Sequence, residues 1–437
     1  MAITVAYFFI LAGSFIYKRN RFISTWSIDE AYMIQQFHNW WSGYPKVTVQ
    51  PGDLRSGFPG ERPFEDNHKK RIFLLYKLAY RAWPQPETLI VVDSILVALS
   101  VPALYLFLGQ LGLGRAKVLA LLAAWLLYPL QQKVAGHSFA DPLTMTGTFY
   151  FFYLYLLCRD SPFSLAGCLG LFLLREETCF LLPATILILP RKWKTLLWQF
   201  GCLVPFVVFA KHGASNPFAY AAVSYNPTFV INFLLTETIL WTLALVNAPA
   251  LFIALGFMIA AIAVGGEIYF QFPYAFLGSS FVPPGSYHYY GLLTAPLMAG
   301  VALGIARLKP GQERLAQISL GLLIIPGIAY GACQLRILAQ PHDEARRIRS
   351  FVAAHVPANA PVVTDLGLPA GFANRDELYV YRMPPKGMTL PEIFDRAKFA
   401  FIYRPDSAQM ESTILSHSTQ HWHRALETTY YVIYQAD

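Results

Sequence analysis

The chain has 437 residues, of which 55% are hydrophobic, 15% aromatic and only 14% charged, and its mean hydropathy is +0.40. So much apolar surface excludes a disordered chain and an ordinary soluble globule, and points to a polytopic helical membrane protein. The net charge of +8 is not a nucleic-acid signal, because the basic residues are scattered through short loops between apolar runs, as topology signals are.

The first apolar run covers residues 3–17. No basic n-region precedes it and no A-x-A-like site clearly follows, so it reads as a retained first span, with a cleaved signal as the alternative. Directly after it comes "STWSIDEAYMIQQFHNWW". Ser27 to Glu30 spells S-x-x-E, a capping box in which Ser27 caps the N3 amide and Glu30 reaches back to the Ser27 amide. The helix so started carries Tyr32, Met33, Phe37, Trp40 and Trp41 largely on one side, the pattern of an interfacial amphipathic helix. Asp29 sits at N2, where the helix dipole favours a carboxylate. A carboxylate kept ionised there suits a general base acting on a hydroxyl; dipole stabilisation alone is the other reading. Paired with Glu30 it also suits a divalent ion such as Mg²⁺ or Mn²⁺ held through waters.

Residues 42–70 are rich in Pro, Gly and charge, which makes them part of a long first external loop over 18–87. That stretch ends in "EDNHKKR", where His68 and Lys69 offer positive groups to a lipid phosphate; a snorkelling interfacial helix predicts the same residues. Further apolar runs lie near 88–112, 118–131, 142–158, 163–174, 178–190, 195–211, 229–246, 249–264, 289–306 and 315–338, giving eleven expected spans. Asp93, near the start of the second, reads as an interfacial carboxylate with its needs met. With the N-terminus cytoplasmic, the inner loops hold Arg115 and Lys117, then Arg159, then Arg191, Lys192 and Lys194, then Arg307, Lys309 and Arg314, in keeping with the positive-inside rule. Lys18, Arg19 and Arg21 fall outside, at the head of a loop long enough to cross regardless of charge.

This orientation collects Asp29, Glu30, His68, His137, Asp141, Arg175, Glu176, Glu177, Glu267 and His288 at the outer end of the bundle, the arrangement expected of a membrane enzyme's site. In "LFLLREETCFLL", Arg175, Glu176 and Glu177 sit between two apolar runs. They read either as an external turn with Arg175 paired to a glutamate, or as a site in which Arg175 faces a phosphate and a glutamate orients a hydroxyl. His288 in "GSYHYYG" offers a hydrogen bond to a phosphate or sugar, while an aromatic belt explains its tyrosine neighbours. His137 and Asp141 in "GHSFADP" are four apart and can share a helix face, or Asp141 caps the span that opens at Pro142.

From residue 340 to 437 the apolar runs shorten to strand length, in "PVVTDLG", "ELYVYR", "KFAFIYR" and "YYVIYQ", interleaved with helix-like stretches such as "HDEARRIRSFVAAHV". They predict a small extracytoplasmic α/β domain behind a membrane bundle over 1–339. The five cysteines are isolated and lie in or beside apolar runs, so buried thiols are expected rather than disulfides. There is no P-loop, G-x-G-x-x-G, H-E-x-x-H or G-x-S-x-G, and no internal repeat of the kind an inverted-repeat transporter carries.

With these residues placed, the chain resembles the type C integral-membrane glycosyltransferases, and more narrowly the bacterial membrane proteins grouped as domain of unknown function 2079. The resemblance rests on "SIDEAYMIQQFHNWWSG", "SFADPLTMTGTFYFFYLYL", "LFLLREETCFLLPATILIL", "YHYYGLLTAPLMAGVALG" and "VPANAPVVTDLGLPAGFANRDELYVYRMP". It implies transfer of a sugar from a polyprenyl-phosphate carrier to a glycan, lipid or protein acceptor at the outer face of the bacterial inner membrane, with no nucleic acid involved. The family's acidic base maps onto Asp29, with Glu30 beside it, although the pair here stands in "SIDEAY" rather than an "FDxGxFDQ"-like string.

Overall fold

The structure, a computed structural model, describes residues 1–21, 31, 33–35, 37–39, 72–128, 131–132, 142–174, 178, 181, 185, 189–210, 291–308, 311–339, 343–365, 368–382, 384 and 388–437. In chain order the helices are α1 (Ala2–Arg21), α2 (Phe73–Ala82), α3 (Pro86–Ala98), α4 (Ser100–Gly109), α5 (Arg115–Leu127), α6 (Thr146–Cys158), α7 (Ser164–Leu174), α8 (Trp193–Ala210), α9 (Gly291–Ala306), α10 (Glu313–Leu338) and α11 (Asp343–His355). Then come β1 (Val362–Thr364), β2 (Leu378–Val380), α12 (Leu390–Arg396), β3 (Phe399–Tyr403), α13 (Ser407–His417), β4 (Trp422–Glu427) and β5 (Tyr431–Ala436). The chain is therefore largely helical with one small sheet. It divides into two compact units, residues 1–11, 67–72 and 93–339 in the first and 12–66, 73–92 and 340–437 in the second.

The first unit packs α4 against α6 and α5, α6 against α7 and α9, and α10 against α5. Two glycines let these helices approach closely. A Cβ on Gly147 of α6 would stand 2.6 Å from Trp125 Cζ2, and one on Gly327 of α10 would run into the carbonyl of Leu127. Trp125 is fully buried, donates its indole N–H to Ser100 Oγ at 2.9 Å and meets Phe151 edge-on at 4.9 Å. Gln199 bridges three helices, accepting from Tyr153 at 2.6 Å and donating to Ser164 at 2.8 Å. The buried polar groups of Trp125 and Gln199 are thus met by side chains of neighbouring helices, as a low-dielectric interior favours.

Among the described residues, Pro86–Gly109 is the one helix long and apolar enough to cross a membrane, with 24 residues. The expected eleven spans are not met among them. The run expected over 142–158 spends its first four residues, Pro142–Met145, on a 3₁₀ turn, which leaves α6 with 13 residues. The run over 163–174 yields 11 in α7. At about 1.5 Å per residue these helices reach roughly 20 and 16 Å, short of a hydrocarbon core of about 30 Å. The spans expected near 229–246 and 249–264 lie outside the described residues.

In the second unit, the stretch after Asp29 and Glu30 is helical at 31, 33–35 and 37–39. Ala31, Ile34, Gln35 and Phe37 are wholly buried. Phe37 meets Phe73 edge-on at 5.7 Å and lies parallel to Tyr76 at 6.5 Å, both from α2. The same α2 turns Leu74, Leu75 and Leu78 outward. Gln35 donates to the carbonyls of Arg375 (3.3 Å) and Asp376 (3.2 Å), His38 sits 3.3 Å from the Asp376 carboxylate, and Tyr80 donates to Asn374. So Met33 and Phe37 of the expected amphipathic helix are buried against protein, while Tyr32, Trp40 and Trp41 lie outside the described residues. Nearby, Arg19 faces Glu87 at 3.7 Å, and Arg349 donates to the Arg19 carbonyl at 3.1 Å.

Residues 343–437 form an α/β sheet in the order β2-β1-β3-β5-β4, parallel across β2, β1 and β3 and antiparallel at β5 and β4. Four strands lie in the alternating segments picked out from sequence; β4, in the polar "WHRALE", has no such apolar signal. One face of the sheet packs Val363, Ala400, Ile402, Val432 and Tyr434 against Ile393, Phe394 and Met410 of α12 and α13. Thr389 and Glu392 close a full capping box at the start of α12. Buried Arg375 donates to the carbonyls of Phe372 (2.8 Å) and Ala360 (2.6 Å), and burial pulls its guanidinium down to about 10, so it stays charged at neutral pH.

At the far end of β2 and β3, Asp406 accepts from Tyr381 at 2.7 Å and from Arg382. Burial pushes the Asp406 carboxyl up, but these two donors outweigh it and hold the group below the usual carboxylate range. A depressed folded-state pKa adds stability above the unfolded value, which is lost as pH falls through the folded one. Thermal melts of the full chain should therefore drop between pH 7 and about pH 3, and in Asp406→Asn the drop should be smaller. A second expectation concerns α10: Gly327→Ala should destabilise by about 1–3 kcal/mol through overpacking, while Gly321→Ala and Gly331→Ala, with open space around them, should not. Melting temperatures of the three variants check this.

Candidate functional site

The residues singled out from sequence as catalytic or binding groups, namely Asp29, Glu30, His68, Lys69, His137, Asp141, Arg175, Glu176, Glu177 and His288, lie outside the described residues, as does Glu267. The described residues nearest to most of them in sequence lie in the first unit.

The Ile72 amide, four residues after His68, donates to the Leu173 carbonyl at 3.0 Å. Leu174, fully buried at the end of α7, is the residue before Arg175. Just beyond Glu177, the buried hydroxyl of Thr178 donates back to the Leu171 carbonyl at 2.7 Å. The 3₁₀ turn Pro142–Met145, which follows Asp141, packs against both α7 and α9. Gln131, six residues before His137, accepts from Thr294 Oγ1 at 3.4 Å, and Thr294 lies six residues after His288. Four stretches far apart in sequence, those carrying His68 and Lys69, His137 and Asp141, Arg175 to Glu177, and His288, are thus flanked by residues of one shared layer.

That layer contains polar groups the sequence reading did not use. Asp93, 1% exposed on the 24-residue apolar helix, accepts from Thr144 Oγ1 at 3.1 Å. The sequence reading placed Asp93 at an interface; the structure buries it. Gln131, Thr144, Thr178 and Thr294 are buried as well. The signal in the sequence was a lone carboxylate inside an apolar run, "VVDSILV", which by itself marks a functional candidate in a membrane helix. Chemically, the layer offers hydroxyls, an amide and a carboxylate in surroundings of low dielectric, where hydrogen bonds hold their partners firmly.

Among the described residues no group of three His, Cys, Asp or Glu is arranged to hold a metal ion. The described cysteines Cys158, Cys168 and Cys202 are free thiols. In the second unit, Ala31, the first described residue after Asp29 and Glu30, is fully buried. Comparison with protein-family models, with curated proteins and with solved structures finds no match to the chain.

Replacing Asp93 tests the layer. Asp93→Ala removes the acceptor of Thr144 and should cost about 1–3 kcal/mol, read as a lower melting temperature. Asp93→Asn, which keeps an acceptor oxygen, should recover most of that loss.

Proposed function

We propose that the protein is a lipid-linked glycosyltransferase of the type C kind, using a polyprenyl-phosphate sugar as donor at the outer face of the inner membrane. The observation that carries this reading is the polar layer just described. It draws together the flanks of four stretches whose His, Lys, Arg and carboxylate residues match the needs of a phosphate leaving group and a sugar. The membrane setting draws support from the outer faces of the helices, which carry exposed Ile95, Leu106, Phe152, Leu173, Trp198, Ile325 and Leu335. On this reading further spans lie in 211–290, the N-terminus is cytoplasmic and the domain over 340–437 is extracytoplasmic.

In the proposed reaction an acceptor hydroxyl attacks the anomeric carbon of the donor sugar. The bond from that carbon to the phosphate oxygen breaks with inversion, and the electron pair leaves with the lipid phosphate. Asp29 takes the hydroxyl proton as general base, with Glu30 capping its helix. Arg175, with His288 and Lys69, stabilises the departing phosphate, since fixed positive groups act most strongly where charge develops.

A second reading, a transporter or flippase of lipid-linked or polar substrates, is favoured by one observation: the carboxylate of Asp93 buried within an apolar helix, where transporters keep ion-coupling groups. Purified protein supplied with polyprenyl-phosphate sugar and acceptor separates the two. The transferase reading expects a new glycosidic bond, a rate reduced about 100-fold or more in Asp29→Asn, and a smaller loss in Glu30→Gln. Equal rates in wild type and Asp29→Asn remove Asp29 from the mechanism, and movement of substrate across vesicles without a new bond replaces the reading with the transporter.

A further inference from the structure

A cleft of about 360 Å³ lies on the domain over 343–437, lined by Arg346, Arg347, Ser350, Phe351, His355 and Leu426. It takes no part in the reaction proposed above. Its volume falls among clefts for small ligands, about 300–1,000 Å³. Five of its six residues come from α11. Arg346 and Ser350 are four apart, as are Arg347 and Phe351, so each pair shares a row on the helix surface.

Two features set its chemistry. The floor is apolar, made by Leu426 and by Phe351, on whose ring His355 stacks at 4.7 Å. The rim is cationic and its charge is not spent inside the domain. Glu344 is occupied by the amides of Thr429 and Tyr430, and Glu427 faces Arg404 at 3.0 Å and Arg424 at 3.8 Å. Asp343 reaches Arg346 at 3.3 Å, but with both side chains more than three-quarters exposed that pair holds little. Among the described residues no carboxylate pairs with Arg347.

We propose that this cleft binds the phosphate headgroup of an anionic lipid, with the phosphate against Arg346, Arg347 and Ser350 and the first carbons of the chain on Phe351 and Leu426. A phosphate presents enough oxygens to accept from two guanidiniums and a hydroxyl at once, whereas a carboxylate presents two. The apolar floor adds a preference for a phosphate that carries a hydrocarbon over a free one. The chain supplies a fitting context: α10 ends five residues before α11 begins, and it is an apolar helix with exposed Ile318, Ile325, Ile328 and Leu335 and with Arg336 in its last turn.

The full-length chain in neutral detergent, titrated with dodecyl phosphate, with inorganic phosphate and with an uncharged dodecyl glycoside, tests this by native mass spectrometry. Dodecyl phosphate should bind more tightly than either control, and the double variant Arg346→Ser, Arg347→Ser should weaken it about ten-fold or more. Because both arginines are exposed, the variant should melt like wild type. Ser350→Glu, which puts a like charge in the cleft, should weaken binding in the same sense. Unchanged binding in both variants overturns the proposal, and inorganic phosphate binding as tightly as dodecyl phosphate reassigns the cleft to a free anion. The readout needs no sugar transfer, so Asp29→Asn should bind as wild type whichever way the transferase assay falls.

Discussion

The amide of Gln35, wholly buried, donates to two backbone carbonyls 340 and 341 residues further along the chain. Left unmade, the bond to the carbonyl of buried Arg375 would alone cost about 1–3 kcal/mol, so this side chain favours one seat for the helical stretch after Asp29 and Glu30. Phe37 completes the seat from below, held among Phe73, Tyr76 and Tyr80. The second unit combines residues 12–66 and 73–92 with residues beyond 340, and its loop Phe372–Asp376 is itself stiffened from within by the buried Arg375.

The first unit follows a different logic. Its helices are short and come together where glycine removes a side chain, at Gly147 beneath Trp125 and at Gly327 beneath the Leu127 carbonyl. Such close approach favours dispersion contacts and side-chain hydrogen bonds between helices. Gln199 with Tyr153 and Ser164, and Asp93 with Thr144, are bonds of that kind.

Much of this was legible in the sequence and some was not. Apolar runs of strand length in "KFAFIYR" and "YYVIYQ" marked β3 and β5, and the apolar run from 88 marked the 24-residue helix. β4 was not legible, because it lacks an apolar run: exposed His423 and Arg424 sit on opposite faces of it, and its register shifts between Arg424 and Leu426. Helix lengths were overread where hydrophobicity continues through a 3₁₀ turn, as at Pro142–Met145, since composition does not distinguish the two. The candidate residues were found by chemical type: charged groups beside apolar runs. The long-range pairs between residues that flank some of them, Ile72 with Leu173 and Gln131 with Thr294, are encoded by no local pattern.

The sheet order carries a consequence for how the protein is made. β5, the last strand in sequence, lies inside the sheet between β3 and β4, so β3 has a bare edge until residues 431–436 exist to cover it. Synthesis of every earlier element leaves this domain incomplete, with Phe399, Phe401 and their neighbours open to wrong partners. Closure comes when Glu344, at the front of the domain, accepts the amides of the turn that leads into β5. A nascent chain made in order must therefore keep roughly ninety residues waiting for the last strand, which makes this domain a natural client for a holding chaperone.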